Sequence, residues 1–113
     1  MAQENNWVEV CKLEDIPQRG SRRVRTGSLQ IAIIRTHEDE VFAIEDKCPH
    51  LGGFLSEGIV HGSQVTCPLH NLVIELKTGE AVAPDTGCVK RFAIKNENGN
   101  ILMDLREAAR EAA

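Results

Sequence analysis

Cys48, His50, Cys67 and His70 are the side chains whose types and spacing could do chemistry: "CPHLGG" opens at Cys48 and "CPLHN" at Cys67, a CxH pair and a CxxH pair with sixteen residues between His50 and Cys67. They are half of the chain's four cysteines and four histidines, placed in two short stretches that read as copies of one another. Two soft thiolates and two imidazoles can hold either tetrahedral zinc or an iron-sulfur centre. A pair of ligands separated by a single residue is an awkward chelate for one ion, because zinc pairs usually keep about two to four residues between them. Two metals, each served by one residue from each stretch, relieve that constraint, with the cysteines on one iron and the histidines on the other. A zinc staple is the bland alternative. Cysteine-histidine nucleophilic catalysis is a weaker one, since no third orienting residue recurs near either pair.

Both cysteines precede proline, Pro49 and Pro68, which biases them toward extended backbone and fixes the turn that follows. Gly52 and Gly53 can take positive φ and let backbone amides come close to a bound sulfide.

The elements that must position these loops read as strands. "WVEVCKL" from Trp7 alternates apolar and polar residues, as a half-buried strand does. After a polar break from Asp15 to Gly20, "RRVRT" and "LQIAIIRT" read as strands separated by Gly27 and Ser28, "HEDE" at 37–40 as a hairpin turn and "VFAI" at 41–44 as the returning strand. That predicts an antiparallel meander. Residues 45–80 are rich in glycine and proline and read as a loop-rich subdomain set into the meander. "CVKRFAIK", the hairpin signal Asn98-Gly99 and "NILMDL" then close the base. The expected organisation is a single domain over 1–113, with a base from 1–44 and 81–105, a metal-binding insertion at 45–80 and a flexible tail at 106–113, where eight residues of isolated helix would be marginal.

Composition bounds the rest. At 113 residues the chain fits one domain, and aromatic residues are only 4% of it, so the core should be aliphatic. No run of about 18 apolar residues exists, and "MAQENNWVEV" lacks a signal-peptide pattern, which points to a cytoplasmic protein without a membrane partner. In that compartment metal binding or free thiols are favoured over disulfides. The net charge of -4 argues against nucleic acid. "RGSRRVR" at 19–25 is the one basic stretch, read as a solvated strand face, with docking of an acidic partner as the alternative. Cys11 and Cys88 read as small buried hydrophobes, and His37 and His61 as ordinary surface histidines.

"CPHLGG...CPLHN" with "LSEGIVHG" between them resembles the Rieske 2Fe-2S motif, and the resemblance spans nearly the whole chain. It implies an all-β fold of stacked antiparallel sheets with the loop-rich, cluster-binding subdomain at one tip. It also implies a 2Fe-2S cluster held by Cys48 and Cys67 on a buried iron and by His50 and His70 on an outer one, with Leu51, Phe54 and Leu69 walling it from water. Relatives with a disulfide between the loops carry extra cysteines where this chain has Gly53 and Leu69. The high-potential members place hydroxyl donors where this chain has Leu72 and Ile74. Without those donors the reduced, more negative state is less stabilised, and a midpoint of roughly -150 mV to zero is expected.

Within the family, "TGEAVAPDTGCV" is most similar to the small subunit of the assimilatory NADH-dependent nitrite reductase, an oxidoreductase of nitrate assimilation whose larger partner subunit holds flavin and sirohaem. The alternative is a stand-alone Rieske ferredoxin passing electrons from a reductase to an aromatic-ring dioxygenase. In either case the chain carries one electron at a time and is not a complete enzyme by itself. It shows no nucleotide-binding glycine fingerprint.

Overall fold

The protein is described by a computed structural model over residues 7–26, 29–47, 53–68, 72–83 and 87–104. Within them the fold is all-β, three antiparallel sheets and two single 3-10 turns. In chain order the strands are β1 (Trp7–Lys12), β2 (Gly20–Thr26), β3 (Leu29–Arg35), β4 (Val41–Glu45), β5 (Ile59–His61), β6 (Gln64–Thr66), β7 (Val73–Glu75), β8 (Glu80–Ala81), β9 (Arg91–Phe92), β10 (Ile94–Glu97) and β11 (Asn100–Asp104). The base sheet has the order β1-β11-β10, the middle sheet β2-β3-β4-β9 and the third sheet β5-β6-β7-β8.

β3 explains why the layers stack as they do. Its run Leu29, Ile31, Ala32, Ile33, Ile34 is buried throughout rather than alternating. Leu29, Ile31 and Ile33 pack with Ile16, Ile101 and Met103 on the base side, while Ala32 and Ile34 pack with Leu55, Leu72, and Val65 and Ile74 of the third sheet. A strand with two apolar faces has to lie between two layers. The middle sheet thus has a core on each side, and the aliphatic composition supplies both.

Two expectations about connectivity are corrected. β1 does not begin the meander: it pairs with β11, Trp7 opposite Asp104 and Lys12 opposite Asn100, with an irregularity between Glu9 and Cys11. Alternation reports that a strand has a buried face, not which strand lies beside it. Cys11, opposite Ile101, is buried, while Val8, opposite Met103 nearer the start of the strand, is exposed. "CVKRFAIK" is not one strand either. Cys88 forms a lone bridge to Glu80, β9 pairs with β4 in the middle sheet, and after Ala93 β10 pairs with β11 in the base. Phe92 packs in the base-side core and Ile94 against it, so the run keeps its apolar pattern while changing sheets.

The turns follow their sequences. Asn98 and Gly99 both have positive φ, as the predicted two-residue hairpin requires, and the Gly99 amide donates to Asn96 Oδ1 at 2.9 Å. Asp39 takes the left-handed conformation in the "HEDE" turn, where the Thr36 amide donates to the Glu40 carbonyl. Gly27, Ser28 and the tail at 106–113 lie outside the described residues.

Candidate metal centre

The third sheet carries one of the two expected ligand loops. β6 ends at Thr66, and Cys67 follows with no exposed surface. Its amide donates to the Leu72 carbonyl at 2.7 Å, closing the segment between them just before β7 begins at Val73. β6 and β7 are paired Gln64 to Glu75 through Thr66 to Val73, so the ladder delivers Cys67 and Leu72 side by side. Cys67 belongs to the same buried cluster as Ile44, Leu55, Leu72 and Ile74. Leu72 and Ile74 are themselves buried, so the positions after the second histidine are apolar, as the sequence indicates.

The other loop leaves β4 at Glu45 and returns at the 3-10 turn Leu55–Glu57. Leu55, 1% exposed, plugs into the core beside Cys67, which brings the return of the first loop to the base of the second. The Asp46 carboxylate lies between the two ends of the loop with no exposed side-chain surface. It accepts from the Ser56 amide at 2.7 Å, the Ser56 hydroxyl at 2.7 Å, Gln30 Nε2 at 3.0 Å and Arg23 Nε at 3.1 Å. An unpaired buried carboxylate would be costly, and four donors offset that cost. Cys48, His50 and His70 lie outside the described residues, as do Leu51 and Leu69, so Cys67 is the one expected ligand whose surroundings are described.

The donor chemistry fits an iron-sulfur group. A fully buried, soft thiol stands at the closed end of a hairpin, and the return of the first loop packs against it. Among the described residues themselves no gathering of three or more metal-binding side chains occurs. None of them forms a helix long and apolar enough to cross a membrane.

Other single-residue expectations divide. Cys11 is buried, and burial pushes its thiol up, against the pull of the Arg22 charge. Cys88, expected to be buried, is exposed, because its bridge to Glu80 holds it at the rim of the third sheet. His37 is exposed on the hairpin turn, but His61 is half-buried, with Nε2 at 2.6 Å from Thr66 Oγ1, next to Cys67. Phe54 is 43% exposed and covered by the Arg23 guanidinium at 4.7 Å from the ring centre, so its ring is a surface platform rather than an enclosed wall. "RGSRRVR" is only in part a solvated face: Arg23 also reaches the Ser56 hydroxyl at 2.9 Å and Glu57 at 3.2 Å. The Asp46 group was missed by sequence reasoning. The signal available was a carboxylate directly after the apolar strand "VFAIE", where a charge needs partners.

Glu75 on β7 accepts from the Ser63 hydroxyl at 2.7 Å, and that bond, helped by the Lys77 amide and Gln64, holds its carboxyl below the ordinary carboxylate range.

A family model described as "Rieske-like [2Fe-2S] domain" matches residues 6–104. The chain is 30% identical over 101 residues to the ferredoxin component of the naphthalene 1,2-dioxygenase/salicylate 5-hydroxylase systems of Ralstonia sp., covering 88% of this chain and 96% of that one. Among solved structures it is similar to a chain of the complex of reduced oxygenase and oxidized ferredoxin in carbazole 1,9a-dioxygenase, at TM-score 0.77 and 29% identity, over 89% of this chain and 94% of the other. It also shares the fold of a putative NADH-dependent nitrite reductase small subunit from Mycobacterium tuberculosis, at TM-score 0.77 and 20% identity, over 89% and 96%.

Proposed function

The chain belongs to the family of Rieske-like [2Fe-2S] domains, and we propose that within it this protein is a ferredoxin that takes one electron from a reductase and hands it to a ring-hydroxylating oxygenase. The observation that carries this reading is 30% identity over 88% of this chain and 96% of a ferredoxin component. The nitrite reductase reading, which "TGEAVAPDTGCV" puts first in the sequence, falls to second place. At 20% identity the shared fold speaks for architecture and not for a partner.

The 2Fe-2S cluster, when bound, stores and releases a single electron. Cys48 and Cys67 would hold one iron and His50 and His70 the other, on an insertion at 45–80 borne by a base of 1–44 and 81–105. The described residues do the supporting work. Leu55, Leu72 and Ile74 keep water from the Cys67 side, and the β6–β7 ladder fixes where that thiol stands. With apolar Leu72 and Ile74 offering no hydroxyl, the midpoint is expected at roughly -150 mV to zero. A redox titration above about +100 mV would overturn this.

Partner identity is tested by reconstitution. Purified protein, red-brown with equal iron and acid-labile sulfide, is mixed with a purified reductase and ring-hydroxylating oxygenase, and separately with a sirohaem nitrite reductase large subunit. Product formation that depends on this protein in the first mixture supports the ferredoxin reading. Nitrite reduction enhanced by it in the second, with none in the first, replaces that reading by the other.

A further inference from the structure

We propose that Arg23, Asp46 and Ser56 form a polar latch, with Arg23 as a positioning residue that ties together the two described ends of the first cluster loop and so slows loss of the cluster. This rests on the reading that Cys48 and His50 are ligands.

Asp46 and Ser56 stand on either side of residues 47–55, and two bonds of 2.7 Å join them, one from the Ser56 amide and one from its hydroxyl. Both ends of the segment are also tied to the middle sheet. The Asp46 amide donates to the Gln30 carbonyl at 2.9 Å, and the Ser56 carbonyl accepts from the Ser21 hydroxyl. Arg23 spans the joint. Its Nε donates to Asp46, its Nη2 to Ser56 and Glu57, and its plane covers Phe54. One planar fork therefore holds the departing end of the loop, the returning end and the ring in front of it. A lysine has a single ammonium and cannot reproduce that fork.

The register of β2 on β3 shows why Arg23, and not its neighbour, has this place. Arg23 lies opposite Ala32, whose side chain faces the third sheet, whereas Arg22 lies opposite Ile33, which faces the base. Adjacent arginines of equal charge point to opposite layers. Net charge of the strand and closure of the loop can thus be separated by experiment.

The test uses the cluster-loaded protein. Anaerobically reduced samples are mixed with bathophenanthroline disulfonate, release of ferrous iron is timed, and the line widths of the reduced-state electron paramagnetic spectrum are recorded. Arg23→Gln is expected to release iron about tenfold faster, the effect of losing one or two charge-assisted hydrogen bonds. Its spectrum should broaden once Asp46 and Ser56 are held less tightly. Arg22→Gln should match the unmodified protein, and Arg23→Lys should fall between. Release by Arg23→Gln within about twofold of the unmodified protein, or equal acceleration by Arg22→Gln, would overturn the latch, since a shared effect is one of charge or general stability. Should Arg23→Gln not accumulate, Ser56→Ala removes one hydroxyl and leaves its amide on Asp46. It should speed release about threefold or more, and no change would also overturn the proposal. Colour and iron content of Cys48→Ser and His50→Ala test the ligand reading separately, since native values in either would remove that residue from the ligand set.

Discussion

At Cys67 the loop is closed by main chain: the β6–β7 ladder runs up to it and one amide-carbonyl bond to Leu72 completes the turn. At Asp46 the loop is closed by side chains, a buried carboxylate gathering donors from Ser56, Gln30 and Arg23. The first kind of closure is local and tolerates many side chains. The second is assembled from residues up to 33 positions apart and fails when one member changes. Two stretches that look like duplicates in sequence are therefore held by unrelated physics, and that contrast can be tested.

The largest effect expected is shared by both loops. Cys48→Ser and Cys67→Ser should each give protein without the visible absorption of the cluster, as measured by spectrum and iron content. Retention of native colour by either would remove that loop from the ligand set.

Next is Leu55→Ala. Leu55 is 1% exposed and joins the return of the first loop to the core around Cys67, so its truncation should cost about 2–5 kcal/mol in urea unfolding. It should also weaken cluster retention at both loops together. An effect under about 1 kcal/mol would mean that the loops do not share this core.

Gly58→Ala separates them. A Cβ at Gly58 would stand 2.3 Å from the Thr66 carbonyl, which must shift β6 just before Cys67. A loss of about 1–3 kcal/mol is expected, felt at the second loop and not at the Asp46 latch. Unaltered stability and spectrum would show that the third sheet yields there without strain.

The smallest effect concerns pH. The folded carboxyl of Glu75 is held below its ordinary value near 4.5, so the unfolded chain binds the proton more readily. Its contribution to stability is present above that value and is lost as pH falls through the depressed one. Glu75→Gln should flatten the acid side of the stability profile slightly, on the β6–β7 side alone. An unchanged profile would show that Ser63 does not hold the carboxylate in solution.

What could be read in the sequence follows the same division. The strands from Trp7 to Glu45 and the Asn98-Gly99 turn are encoded within a few neighbours, and each is found where its local pattern places it. Partnering is not local: "WVEVCKL" fits a meander as well as it fits β11, and nothing in "CVKRFAIK" marks Ala93 as the residue where the chain changes sheets. The latch was hidden for that reason too, since Arg23, Asp46 and Ser56 acquire their meaning only when β2 lies beside the returning loop. Cys88 misled because small size favours burial but does not enforce it, and its place at the rim was decided by Glu80.

β3 has solid packing on both faces and hydrogen-bonded strands on both edges, so its amides have no route to solvent short of separating whole layers. They should be the last in the molecule to exchange with deuterium, while amides around Cys67 trade protons sooner. Such a molecule keeps the memory of its fold in its central layer, against which the other two are laid.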